Sequence, residues 1–570
     1  MTISKLHEFI PKSYLYFRKG YKLATFKKDL AAGLTVGVIA LPLAMAFAIA
    51  SDVGPEKGLY TAIIAGFLTS LLGGSRVQIG GPTGAFVVIV YGIMQRTGYT
   101  GLCLSMLIAA VILLLLGIFR LGSWIKYVPH PLVIGFTTGI AVLIFSSQIK
   151  DFFGLHMASP PADFLEKWAC YFKAFPSFDA VTLSLGAGTL GVILCIRRFA
   201  PWLPWGISAI VLSTTVCVLF HLPVDTIQSR FGEIPRNLPL PSLPCLSIPI
   251  DKFKEIFTDG LTIAFLGAIE SLLSAVIGDG MIGGRHRSNC ELVAQGIANF
   301  GSVLFGGIPA TGAIARTATN VKTGAQTPVA GMLHALVLLL ILYCFAPIVS
   351  QIPLSALAAV LIMIAWSMSE MGHFIRLLRA PQGDILILLT AFLLTVFIDI
   401  TVAISAGMIL ASFMFMKRMS QQSKATPPAQ VFQEQNMDFP ENTDTENISK
   451  KMVPEGVEVY EIQGPFFFGA AHILRDLLHT FALPPKIFIL RMRFVPVMDA
   501  SGMYAIEEFH SQCKKKGVIL LLSGVRDSIK KDLIRFGLFH TIGAENIFSH
   551  IDTALMRSKK ILELSVERSL

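Results

Sequence analysis

Charged side chains are scarce in this sequence, and they are unevenly placed. Only 15% of the 570 residues are charged, 53% are hydrophobic, and the mean hydropathy is +0.65. Soluble domains usually carry about 25% charged residues. Between Leu30 and Met416, several nearly uncharged runs of about 20 residues are long enough to cross a bilayer as helices. The scarcity of charge therefore excludes a soluble protein and indicates an α-helical polytopic membrane protein.

Motifs for metal ligation, disulfide pairing and catalysis are also missing. The eight cysteines show no CxxC or paired spacing and lie mostly in apolar runs, which is typical of packing. No HExxH lies on a predicted span, and Gly301-Ser302 does not complete the hydrolase motif GxSxG. We therefore predict no catalytic residue, no metal site and no enzymatic cofactor.

The net charge of +10 is concentrated near the N-terminus. Residues 1–28 hold seven basic side chains against one acidic side chain, Glu8. Basic residues beside the first span keep that end of a chain in the cytoplasm. The segment lacks a short apolar core followed by a small-residue cleavage site, so we expect no removable signal peptide. A topology signal explains this charge without a nucleic-acid partner.

The apolar segments number about fourteen. Several, notably those that begin near Pro82 and Thr311, are too short to span a bilayer alone. An even number of segments returns the chain to the cytoplasm, where Lys417 and Arg418 follow the last one. We therefore predict that both termini are cytoplasmic. The segments cover roughly residues 30–49, 58–74, 82–95, 101–119, 130–149, 179–197, 204–221, 260–278, 291–306, 310–322, 326–349, 353–367, 383–398 and 400–417.

The composition changes after the last apolar segment. The polar, proline-containing stretch 419–455 predicts a linker. Beyond it the pattern predicts a small α/β domain that has no P-loop and no GxGxxG motif. Its strands are predicted at 457–462, 487–492 and 518–523, and its helices near 470–481, 501–515, 528–536 and 552–560. The predicted organisation is a cytoplasmic segment 1–28, a membrane domain 29–418, a linker 419–455 and an α/β domain 456–565.

Two stretches rich in glycine precede short apolar helices: GGPTGAF at 80–86 and GGIPATGA at 306–313. A helix that begins inside the membrane leaves its first N–H groups unpaired, and this end of its dipole is partly positive. Irregular backbone at that depth is tolerated where it lines a cavity or is packed in protein. Two half-helices in corresponding halves predict a midplane anion site in an inverted-repeat transporter. The alternative is a pair of ordinary kinks.

The predicted anion site combines these helix ends with one full charge. Arg316 lies one turn into the second half-helix and has no acidic neighbour in the sequence, so it either binds the anion or reaches water at the membrane edge. The predicted backbone donors belong to Thr83, Gly84 and Ala85 in the first half-helix and to Thr311, Gly312 and Ala313 in the second.

Glu270 is the candidate for coupling transport to an ion gradient. It is the only charge between Thr262 and Gly278, and Ser274 follows one turn later on the same helix face. A carboxylate with a nearby hydroxyl can bind a proton or a sodium ion. The alternative is a structural ion pair between Glu270 and Arg316.

Together these segments resemble the SulP family of anion transporters over essentially the whole chain. The resemblance rests on DLAAGLTVGVIALP at 29–42, IGGPT at 79–83 and GIPATGAIAR at 307–316, and on MDASG at 498–502, which is similar to a turn of the STAS domain. It implies about fourteen transmembrane segments in two inverted seven-segment repeats, divided into a core and a gate, plus a small cytoplasmic STAS domain. The substrate is then expected between the N-termini of segments three and ten.

The resemblance also implies binding partners, and the sequence departs from the family pattern at one position. It implies a homodimer in the bacterial inner membrane, a proton or sodium ion as the coupling ion, and a cytoplasmic protein that binds the STAS domain. Many members carry Gln or Glu directly after the first-span proline, whereas this chain has Leu43, so coupling is expected to depend on Glu270. Ser501 matches the serine that is phosphorylated in soluble STAS proteins; the alternative is that it caps a helix.

The sequence restricts the substrate only to the class of small anions. Four stretches, at 39–48, 148–155, 266–273 and 288–296, are similar to a bacterial C4-dicarboxylate carrier of the family. We expect secondary active transport of a C4-dicarboxylate or sulfate by proton- or sodium-coupled symport. Bicarbonate transport, anion exchange and an uncoupled channel of the same architecture are the alternatives.

Overall fold

The structure is a computed structural model of the chain. It describes residues 7–18, 20–157, 160–161, 163–200, 203–243, 252–421, 424–426, 453–466, 474 and 485–567. These residues belong to two compact units that divide between Ile409 and Leu410. The first unit is a bundle of apolar helices, and the second is built around a small sheet.

Each of the fourteen predicted apolar segments corresponds to a helix, so the predicted helical membrane fold is confirmed. Eight of the described helices are long and apolar enough to cross a membrane. In chain order the helices are α1 (Lys12–Arg18), α2 (Leu23–Ala50), α3 (Pro55–Leu72), α4 (Gly84–Ile118), α5 (His130–Phe153), α6 (Phe164–Ala174), α7 (Ala180–Phe199), α8 (Trp205–Leu219), α9 (Ile227–Phe231), α10 (Phe253–Ile282), α11 (Ser288–Leu304), α12 (Ile314–Lys322), α13 (Val329–Val349), α14 (Leu354–Met368), α15 (Met371–Leu377), α16 (Gln382–Phe397) and α17 (Ile400–Gln421).

Local chemistry explains where several of these helices begin and break. Asp163 and Asp179 cap α6 and α7, because their side chains accept hydrogen bonds from the first free backbone N–H groups. Gly98 interrupts α4 with φ 67° and ψ −170°, a conformation that glycine adopts without steric cost. The interruption turns α4 into two helices, which are the third and fourth predicted segments.

Helix packing divides the first unit into two groups. In the first group, α11 packs on α3 and α4, α10 packs on α4 and α12, and α13 packs on α2 and α3. In the second group, α14 and α16 pack on α5, and α7 packs on α14 and α8. The family resemblance implies a core and a gate, and we use these names below for the first and the second group. Two short strands, β1 (Gly80–Gly81) and β2 (Thr311–Gly312), lie directly before α4 and α12 in the first group.

The second unit is an α/β domain with a four-stranded sheet. Its strands are β3 (Lys424–Thr426), β4 (Val457–Gln463), β5 (Ile487–Phe494) and β6 (Ile519–Ser523), in the order β3-β4-β5-β6. β3 is antiparallel to β4, and the other pairs are parallel. The described helices are α18 (Ala500–Lys515), α19 (Asp527–Phe536), α20 (Leu538–Ile542) and α21 (Ile551–Glu567).

Side chains alternate between the two faces of this sheet. Phe488 and Leu490 of β5 pack in one core with Phe509 of α18, while Ile487 and Ile489 pack on the other face in a core that includes residues of α21. Helices cover both faces, which explains why β5 is a nearly continuous apolar run. A parallel strand buried on both sides requires such a run.

The predictions for the tail are confirmed where the structure describes them. The three predicted strands are present, and the helices expected at 501–515, 528–536 and 552–560 correspond to α18, α19 and α21. The helix expected near 470–481 lies almost entirely outside the described residues. Of the predicted linker 419–455, α17 includes the first three residues and β3 joins the sheet, and residues 427–452 lie outside the described part.

Candidate anion-binding site

The two glycine-rich stretches meet inside the first unit. β1 and β2 form a two-stranded antiparallel pair in which Gly80 faces Gly312 and Gly81 faces Thr311. The Ala313 N–H donates to the Ile79 carbonyl at 2.8 Å. Because each strand leads directly into a helix, the pair brings the N-termini of α4 and α12 together. The sequence predicted two half-helices, but it gave no indication that their leading strands pair.

Both helix N-termini lack a capping side chain. Thr83 is the N-cap of α4 and Ala313 is the N-cap of α12, and neither accepts a hydrogen bond from its helix backbone through a side chain. The first N–H groups of a helix have no intrahelical partner. Gly84 and Ala85 lie at such a partly positive end, in the first turn of α4. Thr311 and Gly312 belong instead to β2, and the predicted donor Ala313 already bonds to Ile79, so the free N–H groups of α12 begin after Ala313. Such ends favour a negatively charged ligand.

Arg316 is buried beside the strand pair. Its side chain is 3% exposed, and Nη2 donates to the Pro82 carbonyl. Nη1 has no hydrogen-bond partner in the part of the chain that the structure describes. The alternative that Arg316 reaches water at the membrane edge is therefore wrong. An unpaired guanidinium nitrogen in an apolar interior is costly, so this position calls for an anionic partner.

Gly81 makes room for this guanidinium. Its φ of +147° is unfavourable for any residue with a side chain, and a Cβ at this position would lie 2.8 Å from Arg316 Nη1. The close approach therefore requires glycine both for its conformation and for its size. As a result, the Arg316 charge lies against the backbone of β1.

Glu270 contacts the first half-helix rather than Arg316. Its side chain is 8% exposed, and Oε2 accepts a hydrogen bond from Thr83 Oγ1 at 2.9 Å. A carboxylate at a helix N-terminus interacts favourably with the helix dipole. No ion pair joins Glu270 and Arg316 in the described structure, which removes the alternative of a structural pair. The candidate coupling residue therefore contacts the N-cap of α4.

Ser274 has a different partner from the one that the sequence suggested. Its hydroxyl hydrogen-bonds to Thr317 Oγ1 at 2.9 Å, and Thr317 Oγ1 also accepts from the Ile79 N–H at 3.1 Å. Thr311 Oγ1 donates to the Gly267 carbonyl at 2.9 Å. These bonds fix α10 to both strands of the pair. Ser274 therefore connects α10 to α12 and, through Thr317, to the backbone just before β1, whereas Glu270 bonds to Thr83.

Gly84 shows which side of the site faces the gate helices. A Cβ at Gly84 would lie 3.3 Å from Phe47, 3.1 Å from Ile144 and 2.9 Å from Met368. Ile144 belongs to α5 and Met368 to α14, which are both in the second helix group. The N-terminus of α4 therefore lies at the boundary between the two groups. Movement of one group against the other would change access to this helix end.

Sequence reasoning missed a ladder of polar side chains on α11. Glu291, Gln295, Asn299 and Ser302 recur at helical spacing and are each at most 1% exposed. Asn299 donates to the Ala310 carbonyl at 2.8 Å and accepts from the Ala310 N–H at 2.9 Å. Glu291 accepts from the N–H groups of Gly74 and Ser75 at 2.9 and 3.2 Å. The signal was available in the sequence, because three of these residues recur at i, i+4 and i+8 in an otherwise apolar helix.

This ladder satisfies irregular backbone on both sides of the strand pair. Ser302 Oγ of the ladder donates to the Ile308 carbonyl at 2.7 Å. The Ile308 N–H donates to Thr61 Oγ1 of the neighbouring helix α3 at 2.7 Å. Backbone groups without a partner in an apolar medium cost several kcal/mol. α11 therefore holds the chain that enters β2 and, through Glu291, the chain just before β1.

An apolar cavity of about 500 Å³ lies elsewhere in the first unit. Its lining includes Phe67 of α3, Phe300 of α11 and Leu339 of α13, and no charged side chain contributes to it. A cavity without charged groups or free donors offers nothing that recognises an anion. We therefore place the candidate site at Arg316 and the strand pair.

The predicted regulatory serine is accessible but is not a helix cap. Asp499 is the N-cap of α18, and its Oδ1 accepts from the Gly502 N–H at 2.8 Å. Ser501 lies inside the first turn and is exposed. The alternative role of Ser501 as the N-cap is therefore wrong, because Asp499 already supplies the capping oxygen.

A helical membrane unit with a buried cationic group where two half-helices begin, followed by an α/β unit, is the arrangement expected of a polytopic membrane transporter of anions. Comparison with known families gives the particular assignment. Residues 26–391 match the sulfate permease family and residues 450–554 match the STAS domain. The chain belongs to the sulfate permease family.

Relatives with known or assigned roles support this placement. The chain is 42% identical over 536 residues to the putative sulfate transporter YvdB of Bacillus subtilis, covering 94% of this chain and 98% of that protein. It is 28% identical over 547 residues to the bicarbonate transporter BicA of Picosynechococcus, covering 92% and 94%. The structure of the murine anion transporter Slc26a9 in its inward-facing state matches with a TM-score of 0.84 at 18% identity, covering 98% of this chain and 95% of that one. The last likeness concerns the fold alone.

Proposed function

We propose that this protein carries a small oxyanion across the bacterial inner membrane by secondary active transport. The observation that carries the proposal is Arg316 Nη1, a buried donor without a partner beside two uncapped helix N-termini. The substrate class is sulfate, bicarbonate or a C4-dicarboxylate. Each of these anions presents carboxylate-like or sulfate oxygens that match a guanidinium and backbone N–H donors. The relatives named as sulfate and bicarbonate transporters support the first two, and the four similar sequence stretches support the third.

Transport is coupled in this proposal to proton or sodium entry through Glu270. Its hydrogen bond to Thr83 connects the carboxylate to the N-terminus of α4, where the substrate is expected. When a proton or a sodium ion neutralises Glu270, the repulsion between this carboxylate and a bound anion disappears. Because the ion and the anion then bind together, this route favours symport over anion exchange. A channel, the alternative, would pass the anion without being driven by a proton or sodium gradient.

The proposed setting is a homodimer with both termini in the cytoplasm. The basic N-terminal segment supports this orientation. The STAS domain then lies in the cytoplasm, where Ser501 is open to a kinase and the domain surface to a regulatory protein.

Uptake by purified, reconstituted protein tests the proposed function. Proteoliposomes are supplied with labelled sulfate, succinate, fumarate or bicarbonate, with and without imposed proton or sodium gradients. We expect at least one of these anions to accumulate above its outside concentration when the correct gradient is present. Uptake that only equilibrates would favour the channel alternative. No uptake of any of these anions, in protein that is shown to be folded, would reject the proposal.

A further inference from the structure

His334 is a buried titratable group that the proposed mechanism does not use. It lies on α13 and is 0% exposed. Neither ring nitrogen has a hydrogen-bond partner of normal geometry among the described residues, although the ring makes a weak contact with the Gly331 backbone one turn earlier. Buried polar groups are nearly always paired, so an unpaired imidazole in the membrane domain requires an explanation.

The imidazole lies behind the strand that carries the anion site. A Cβ on Gly66 of α3 would lie 3.6 Å from His334 Cε1 and 3.1 Å from the Gly80 carbonyl oxygen. The ring and the β1 backbone therefore approach the same point. A Cβ on the next residue, Gly81, would lie 2.8 Å from Arg316 Nη1. The imidazole and the guanidinium therefore approach successive glycines of β1.

The charged groups around His334 are few. α13 packs on α2 and α3, and the α2 residues nearest to it are Gly33 and Gly37. Asp29, one turn earlier on α2, accepts hydrogen bonds from Tyr21, Gln326 and Thr327.

Two further groups complete this environment. On α3, Gly66 approaches the ring, and the neutral side chains Thr69 and Ser70 follow within the next turn and are buried. Glu270 lies on α10 and is bonded to Thr83. The charged group that contacts β1 is Arg316, at Gly81 and Pro82.

Two hydroxyl groups beside the ring also lack partners. Thr69 Oγ1 and Ser70 Oγ make no hydrogen bond in the described structure. Thr69 lies against Gly80, and Ser70 lies against Gly331, where added Cβ atoms would be 2.6 and 2.1 Å from these oxygens. Unpaired hydroxyls and ring nitrogens in one buried place are the partners that ordered water requires. Water bound at these hydroxyls would give a proton a path to the ring.

We propose that His334 is a second proton-binding site, which takes up a proton when an anion binds at Arg316. Without an anion, the guanidinium charge at β1 adds to the cost of placing a second positive charge on the buried ring. A bound anion offsets that charge, so protonation of the ring costs less than in the empty site. The inference rests on the proposed anion site, and it adds a proton carrier that is separate from Glu270.

Linkage fixes the sign of the effect. If anion binding favours protonated His334, then protonation of His334 must increase anion affinity by the same factor. Anion affinity should therefore fall as the pH rises. Replacement of His334 by a neutral residue should remove this component and leave the rest of the site in place.

Calorimetry on the purified full-length protein in detergent measures the linkage directly. Sulfate and succinate are titrated in buffers with different ionisation enthalpies, so that the dependence of the heat on the buffer gives the number of protons taken up per anion. We expect net proton uptake by the wild type and binding about fivefold or more tighter near pH 6 than near pH 8. His334→Gln should lower the proton uptake and flatten the pH dependence.

Three controls separate the possible outcomes. His373, an exposed histidine bonded to Glu370, provides the matched variant His373→Gln, which should behave as the wild type. His334→Asn provides a second variant if His334→Gln fails to fold in a thermal melt. The proton uptake per anion is also compared between His334→Gln and the double variant with Glu270→Gln. This comparison separates the proton bound by the ring from the proton bound by the carboxylate.

The outcomes distinguish this inference from the function on which it rests. If the His334 variants bind anion and take up as many protons as the wild type, His334 is not the site. If the wild type binds neither sulfate nor succinate, nor bicarbonate titrated in the same way, the proposed anion site fails and the proton linkage fails with it. Loss of uptake in the His334 variants alone, with anion binding retained, supports the inference.

Discussion

At the scale of single residues, Arg316 and the glycine beside it determine the electrostatics of the site. A guanidinium is costly to bury without an opposite charge, and here one nitrogen bonds to a backbone carbonyl while the other has no partner. Inside a low-dielectric region, a single charge interacts far more strongly with an anion than it does in water. In the proposed site, the unpaired nitrogen should therefore contribute strongly to the affinity for an anion.

Replacement of Arg316 tests this contribution. Removing the buried charged partner of an anion costs on the order of 2–5 kcal/mol. At about 1.4 kcal/mol per tenfold change, Arg316→Ala should weaken anion binding roughly 30-fold or more. Arg316→Lys should keep part of the binding, because a point charge remains, but lose discrimination between anions of different geometry. Binding is measured by calorimetry on purified protein.

The matched control for this prediction is Arg285→Ala. Arg285 is an exposed arginine in the same unit, and its replacement should leave anion affinity unchanged. A thermal melt checks that each variant is folded. Near-wild-type affinity in a folded Arg316→Ala protein would mean that the helix dipoles alone hold the anion.

A separate prediction concerns the role of Glu270 in coupling transport to an ion gradient. Glu270→Gln keeps a side-chain oxygen for the Thr83 hydroxyl but cannot carry a charge, so it should abolish gradient-driven accumulation without reducing the amount of protein. Uptake into proteoliposomes with an imposed gradient measures the effect. Glu255→Gln is the control, because Glu255 lies on the same helix but is partly exposed and paired with Arg96. Normal accumulation by Glu270→Gln would place the coupling ion elsewhere.

At the scale of elements, the site depends on two strands of two residues each, held by side chains from neighbouring helices. So short a strand pair is not stable by itself. The ladder on α11 and the Ser274–Thr317 bond from α10 supply the missing partners. The position of both half-helices is therefore set by polar residues that do not contact the expected substrate.

Asn299 tests this support. Asn299→Leu keeps a similar volume but leaves the N–H and carbonyl of Ala310 without partners, which should cost about 2 kcal/mol or more. We expect a lower melting temperature and weaker anion binding, since the chain entering β2 is displaced. Asn289→Leu, at the partly exposed start of the same helix, should have smaller effects on both measurements. Equal effects of the two substitutions would argue against a specific role of Asn299.

At the scale of the whole molecule, the second unit has its own core on both faces of its sheet. A buried ion pair between Arg491 and Glu461, at 2.8 Å, joins two adjacent strands of that unit. A separate core is what allows a domain to fold alone.

The fragment 456–565 should accordingly be soluble and unfold cooperatively. A longer fragment that begins before Lys424 includes β3, which covers the edge of β4, and should aggregate less. Circular dichroism melts and size-exclusion chromatography compare the two fragments. An unfolded or insoluble product in both cases would contradict the predicted boundary.

Topology gives the last prediction. Reporter proteins fused at Lys19 and after Lys417 should both report a cytoplasmic location. The reason is that a basic segment precedes an even number of membrane segments. A reporter found outside the cytoplasm at either position would mean that one of the short segments does not cross as assumed.

The sequence by itself determined the elements. Apolar runs bounded by glycine, proline and charge placed the fourteen apolar helical segments, because helix formation in a membrane depends on local composition. The same local reasoning placed three strands of the α/β unit and the two half-helices, the second of which carries Arg316. These features depend on residues that are close together in the chain, so they can be read from the chain.

Only the tertiary structure decided which of these groups meet. The pairing of Gly80 with Gly312, the bond from Thr83 to Glu270 and the approach of His334 to β1 each join residues far apart in sequence. The sequence suggested that Ser274 faces Glu270, because both lie on one helix face, but the packing of α12 against α10 gives Ser274 a nearer partner in Thr317. A hydrogen bond forms with whichever group packing brings within about 3 Å, and that choice belongs to the fold as a whole.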